Sequence, residues 1–133
     1  MKQENRYIAI VDDDEDDRSF LEEAFHENGC NSTIQTFDNG VKLLETLRNA
    51  NEKPLLIIID LHMPRKSGRE ILTELKHDKN LFTIPVIVLS TALSSETREE
   101  MLRAGANCII SKPNNYNDIL FLTKSIAKIW NVE

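Results

Sequence analysis

The sequence predicts an α/β fold, with a parallel β-sheet covered by helices on both faces. Two observations predict it. Five short apolar, β-branched runs alternate with five amphipathic stretches from end to end, and strands that alternate with helices argue for parallel crossover units. The run Leu55-Leu56-Ile57-Ile58-Ile59 is continuously apolar, as suits a strand buried on both faces rather than one with a wet side. Right-handed crossovers then leave few topologies open.

Each element has its own signal. Tyr7-Ile8-Ala9-Ile10-Val11 is a β-branched run that ends in a block of carboxylates. From Glu15 to Asn28 the spacing becomes helical, with Phe20, Leu21, Ala24 and Phe25 on one face, and Asn28-Gly29 stops it. Thr33–Phe37 alternates like a strand. Gly40 opens a second helix, read with Val41, Leu44 and Leu47 inward. Pro54 precedes the Leu55–Ile59 strand. A third helix follows Gly68 and carries Ile71, Leu72 and Leu75. Pro85 precedes the strand Val86–Leu89, and a helix from about Ser94 ends at Gly105. Asn107 to Ile110 reads as a short fifth strand. A last helix runs from about Tyr116 to Trp130, with Ile119, Leu122, Ile126, Ile129 and Trp130 on its core face. Leu120 and Phe121 point away from that face, and an exposed apolar side chain there marks a candidate partner surface.

Composition narrows the function classes. The chain has 133 residues, 41% hydrophobic and 29% charged, a globular balance in a length that buries a real core as one domain. The expected layout is a single domain over 1–133, with a core of about 7–130 and no second domain. Asp plus Glu number 22 against 16 Lys plus Arg, a net charge of -6. Such a balance does not suit nucleic-acid binding, which needs basic patches on phosphate. Two cysteines, Cys30 and Cys108, are too few for a disulfide framework and read as reduced thiols. Met1–Arg6 is polar with no signal peptide, and no apolar run approaches a membrane span. A cytoplasmic location without membrane contact is the expectation.

Open parallel sheets bind ligands at the carboxyl ends of their strands, near the switch point. Asp12 and Asp13 follow the first strand, Asp60 the third, Ser90 and Thr91 the fourth, and Ser111-Lys112-Pro113 the fifth. Three carboxylates, a hydroxyl and an ammonium thus converge on one sheet edge. Two carboxylates 4 Å apart repel by about 4 kcal/mol at an effective dielectric of 20. Either their pKa values rise or a cation enters. Oxygen-only ligands favour a hard divalent ion such as Mg²⁺. An aspartate beside such an ion can attack phosphorus and become an aspartyl phosphate. Lys112 and Ser90 could then contact phosphoryl oxygens, and positioning with charge stabilisation is most of what phosphoryl transfer needs.

On these residues the chain resembles the receiver domains of two-component response regulators, chemotaxis-type stand-alone receivers included. The likeness runs from about Tyr7 to Trp130 and rests on four signatures in order. They are Val11-Asp12-Asp13, Asp60-Leu61-His62-Met63-Pro64 with Gly68 eight residues beyond Asp60, the strand closing on Ser90, and Lys112-Pro113. The resemblance implies a doubly wound, flavodoxin-like sheet of order 2-1-3-4-5. It implies that Asp60 accepts a phosphoryl group from a histidine kinase or histidine phosphotransfer protein. Asp13 would ligate Mg²⁺ directly (Mn²⁺ as a substitute), Asp12 largely through water, and the His62 backbone carbonyl would complete the set with Asp60. Ser90 and Lys112 would contact the phosphoryl group. A cis Lys112–Pro113 bond would aim the ammonium inward. Phosphorylation would then remodel a switch and partner surface that includes Thr91, Ile109, Pro113 and Phe121. The downstream target is unknown, and a monomer able to dimerise on activation is expected.

The sequence departs from the family at three places. Ile109 stands where a switch Tyr or Phe is common. Thr91 stands where many members have Ala, and Asn114 where many have Phe. His62, two residues past Asp60, reads as a surface loop residue, and Asp14 to Asp17 as a solvated helix start favoured by the helix dipole.

Four other readings fit less well. A calcium loop would use Asp12, Asp14, Asp16 and Glu23, but Asp17 fills the position that needs glycine and a strand precedes it. A haloacid-dehalogenase-type phosphatase needs an acid two residues after its nucleophile, where this chain has His62. A flavodoxin-type cofactor module would want a phosphate-binding loop where this chain places carboxylates. A phosphorylation-independent interaction module has no use for Asp12, Asp13, Asp60, Ser90 and Lys112 together. The reading is therefore a signalling switch or phosphorelay component rather than a metabolic enzyme, one that catalyses its own phosphorylation and dephosphorylation.

Overall fold

Ten elements alternate along residues 7–132, the span that this computed structural model of the protein describes. Met1–Arg6 and Glu133 lie outside it, so the reading of a polar N-terminal lead falls outside the described residues. The strands are β1 (Tyr7–Val11), β2 (Thr33–Phe37), β3 (Leu56–Asp60), β4 (Val86–Ser90) and β5 (Cys108–Ser111). The helices between and after them are α1 (Glu15–Glu27), α2 (Gly40–Asn49), α3 (Gly68–Lys76), α4 (Ser95–Arg103) and α5 (Tyr116–Ile129). All strand pairs are parallel, in the order β2-β1-β3-β4-β5. The expected doubly wound sheet with five helices is the observed one.

Strand periodicity divides the core into two layers. Side chains alternate across a strand, so Tyr7, Ala9 and Val11 of β1 join the layer of Leu43, Leu47, Ile71, Leu75 and Met101. Ile8 and Ile10 join Leu21, Ala24, Phe25, Ile119 and Ile126 on the other face. One layer is covered by α2, α3 and α4, the other by α1 and α5. The central strands β1, β3 and β4 are buried along their whole length, whereas the edge strand β2 alternates. A continuous apolar run marks a central strand for that reason. No helix among the described residues is long and apolar enough to cross a membrane.

Three inward assignments are corrected by the structure. Phe20 is exposed, its ring edge-on to Tyr116 with centroids 6.3 Å apart. Val41 is exposed and Leu43 takes its place among the buried residues of α2. Ile129 is 69% exposed, because the buried stripe of α5 runs through Ile119, Thr123, Ile126 and Ala127. At 100° per residue these side chains lie on the flanks of their stripes. The two cysteines are free, as expected.

Gly68 fixes where α3 begins. A Cβ there would lie 2.7 Å from the Asp60 carbonyl oxygen and 2.8 Å from Leu61 Cα. Only glycine lets the helix start pack directly on the end of β3. Ser67 caps that helix in a reciprocal box with Glu70, which satisfies two orphan N–H donors.

Candidate functional site at the carboxyl edge of the sheet

The site is assembled by backbone hydrogen bonds that continue the ladder past the strand ends. The Asp12 N–H donates to the Phe37 carbonyl (3.1 Å), the Leu61 N–H to Leu89 (2.8 Å) and the Lys112 N–H to Ser90 (2.8 Å). Asp60 is in register with Leu89, and Ser90 with Ser111. The residues that follow β1, β3, β4 and β5 are therefore set side by side, as their positions after the strands predict.

Three carboxylates meet there. Asp12, Asp13 and Asp60 each offer an oxygen within 4.8 Å of the others. Asp12 and Asp60 are buried and Asp13 is exposed, so the cluster has a solvent-facing side. The Asp14 N–H donates to Asp12 Oδ1 (3.0 Å) and an Arg18 N–H donates to the Asp12 carbonyl (2.7 Å), which hold the strand-to-helix turn. Asp14 then caps α1, accepting from the Asp16 and Asp17 N–H groups.

Lys112 reaches into this cluster. Its Nζ lies 2.7 Å from Asp17 Oδ2, 2.8 Å from Asp12 Oδ2 and 3.3 Å from Asp60 Oδ2. Burial works against its charge, but Asp12, Asp17 and Asp60 outweigh that and hold its pKa above the ordinary lysine range. The contact with Asp12 Oδ2 is a charge contact without hydrogen-bond alignment. That oxygen is buried with no hydrogen-bond partner among the described residues. Burial foremost, with the Asp60 charge adding to it, pushes the Asp12 carboxyl up to about 6, against the pull of Lys112 and the Asp14 N–H.

These features fit a divalent cation. One ammonium is shared by Asp12, Asp17 and Asp60 with Asp13 alongside, the buried Asp12 Oδ2 has only that shared ammonium beside it, and every candidate ligand is oxygen. Asp12, Asp13 and Asp60 would hold the ion, which would neutralise charge on the cluster and on any anion brought to it.

The structure corrects the sequence reading at three points here. Asp17, read as a solvated helix residue, is an ion-pair partner of Lys112, because the first turn of α1 swings it back over the sheet edge. His62, read as a surface loop residue with an idle side chain, is exposed as read but places Nε2 3.1 Å from Ser90 Oγ. Its backbone N–H also donates to Asp60 Oδ1 at 3.3 Å. The expected cis Lys112–Pro113 bond is not observed; no cis peptide occurs among the described residues. The trans form is intrinsically preferred, and the long lysine side chain reaches Asp12 and Asp60 from it. Of the expected switch positions, Ile109 is buried in the layer under α4, while Thr91 and Phe121 are exposed and Pro113 is half-buried. An Arg98 N–H donates to the Ile109 carbonyl at 3.3 Å and ties α4 to β5.

Comparison with known proteins agrees with this geometry. The response regulator receiver domain family matches residues 8–124. Response regulator Rcp1 of Synechocystis sp. is 27% identical over 130 residues, 94% of this chain and 88% of that protein. The crystal structure of the phosphorylated cyanobacterial phytochrome response regulator RcpA superposes with a TM-score of 0.88 at 30% identity, covering 97% of this chain and 95% of that one. The Mn²⁺-bound form of Rcp1 superposes at 0.84 with 26% identity, covering 96% and 94%.

Proposed function

We infer the function of this chain from the premise that it belongs to the response regulator receiver family of two-component signalling. Members of that family interact with histidine kinases and with downstream targets. On that premise the protein is a phosphorylation switch centred on Asp60. The observation that carries this reading is the convergence of Asp12, Asp13 and Asp60 within 4.8 Å, with the Lys112 ammonium 3.3 Å from Asp60 Oδ2.

The chemistry follows from the groups present. An Asp60 carboxylate oxygen attacks phosphorus. A P–O bond forms to Asp60, and the bond from phosphorus to the donor breaks, its electron pair leaving with the donor. Negative charge gathers on the phosphoryl oxygens during transfer. Lys112 lies close enough to offset part of it, and the Ser90 hydroxyl lies on the adjacent strand end to donate to another oxygen. A bound divalent cation supplies further charge neutralisation. Mg²⁺ is the proposed ion, with Mn²⁺ as a substitute, held by Asp12, Asp13, Asp60 and the His62 backbone carbonyl. The Mn²⁺-bound relative supports the metal class.

Asp60 is proposed to take its phosphoryl group from a histidine kinase or histidine phosphotransfer protein. The likeness to a phytochrome response regulator makes a phytochrome-type kinase the donor to assay first. The same site can self-phosphorylate from small donors and hydrolyse its own acyl phosphate. A cytoplasmic setting is part of the proposal, and the likeness to Rcp1 spans 88% of that protein. The signal would leave through Thr91, Ile109, Pro113 and Phe121, either as partner binding or as onward phosphorelay. Borohydride trapping after phosphorylation tests the acceptor. Reduction of an Asp60 acyl phosphate leaves homoserine at that position in the peptide mass spectrum. Homoserine at any other carboxylate, with none at 60, overturns the assignment.

A further inference from the structure

His62 does two things at once. Its backbone N–H donates to Asp60 Oδ1 at 3.3 Å, and its imidazole Nε2 shares a hydrogen bond of 3.1 Å with Ser90 Oγ. Ser90 is fully buried and has one hydroxyl to place. Its oxygen also accepts from the Ala92 N–H at 3.3 Å. A neutral imidazole can take the Ser90 proton at Nε2 or donate one there. Either arrangement anchors the hydroxyl to His62, and the first also takes up its only proton.

We propose that the His62 imidazole is a latch on Ser90. It is a positioning residue that holds the hydroxyl in its unphosphorylated place and must release it before Ser90 can serve a phosphoryl group on Asp60. The inference rests on the phosphoacceptor reading of Asp60 and Ser90. The latch bond is made in the resting protein and lost as the hydroxyl turns to phosphate, so it stabilises the ground state more than the transition state. Interactions of that kind slow a reaction rather than speed it. One hydrogen bond of ordinary strength corresponds to about a fivefold effect on rate.

The test is the phosphorylation rate with acetyl phosphate and Mg²⁺ in four proteins and one rescue. These are wild type, His62→Phe, Ser90→Ala, the double variant and His62→Gln. Phenylalanine keeps the ring and drops the nitrogen. The expected result is phosphorylation about fivefold faster in His62→Phe. In the Ser90→Ala background the same change should have no effect, because there is no hydroxyl to release. Glutamine, which can still hydrogen-bond, should return the rate toward wild type. The His62 ring NMR signals should move on Ser90→Ala in unphosphorylated protein, which a purely steric role would not require. An effect of His62→Phe that is the same with and without Ser90, or a slower rate in His62→Phe, overturns the latch. An adduct whose rate ignores His62 overturns the latch alone. No adduct in wild type overturns the phosphoacceptor reading and this role with it.

Discussion

Lys112 Nζ stands 2.7 Å from Asp17 Oδ2, closer than it stands to Asp12 or Asp60. The ammonium is therefore shared between the rim of α1 and the floor of the site. The two halves of that sharing are not equal in energy. Asp17 is about a third exposed, with a side-chain exposure of 36%, and solvent screens its share of the pairing to below about 1 kcal/mol. Asp12 and Asp60 are buried, and removing their cation leaves charges that water cannot reach. Asp17→Asn is expected to change stability by less than about 1 kcal/mol. Lys112→Met should destabilise the metal-free protein at pH 7 by about 2–4 kcal/mol. Urea unfolding of both variants checks the contrast.

Asp12 yields a prediction of opposite sign. Its carboxyl is pushed up to about 6, so its charged form is unfavourable in the folded, metal-free protein. The unfolded chain releases this proton near the ordinary value of 3.8. The contribution is fully present below that value and is lost as pH rises through about 6. Asp12→Asn should therefore stabilise the metal-free protein at pH 7, by up to about 3 kcal/mol, while weakening cation binding. Thermal unfolding with a chelator, then with Mg²⁺, separates the two effects.

The same shift sets the pH dependence of cation binding. Above about pH 6 a divalent ion meets an ionised Asp12; below it, the ion must displace a proton. Affinity for Mg²⁺ or Mn²⁺ should be flat near pH 7 to 8 and fall by up to about tenfold per pH unit below 6. Isothermal titration across pH 5 to 8 reads this directly. An affinity that does not change across that range contradicts the role of Asp12.

Gly68 links the fold to the site. Any Cβ at this position meets backbone rather than a movable side chain, so the strain cannot be relieved by a rotamer change. Gly68→Ala should destabilise by about 1–3 kcal/mol and displace the Asp60–Leu61 segment. Phe121, 74% exposed, is the control on the proposed partner face. Phe121→Ser should leave stability within about 0.5 kcal/mol and act only in binding assays. Chemical denaturation of the two variants checks both values.

The strands and their ends were legible because each strand is a β-branched run punctuated by a polar residue. Asp12, Asp60, Ser90 and Lys112 all sit at that punctuation, and parallel topology brings such positions to one edge. Asp17 and His62 carried no such mark. Asp17 is one carboxylate in an acidic run, and only the phase of the first turn of α1 singles it out. The His62 ring reaches Ser90 from an exposed position on a loop whose path, with Arg65 at positive φ, periodicity does not describe. Phe20, Val41 and Ile129 show a further limit. An apolar side chain on the flank of a helical stripe is buried only if a neighbouring element covers it, and these three are not covered.

The most direct measurement of the central claim is intact mass after incubation with acetyl phosphate and Mg²⁺, quenched in acid, for wild type and Asp60→Asn. The account predicts a gain of about 80 Da, one phosphoryl group, in wild type. That gain should need the cation and should be absent from Asp60→Asn. An adduct that persists in Asp60→Asn, or that forms equally well with the cation chelated, would contradict it.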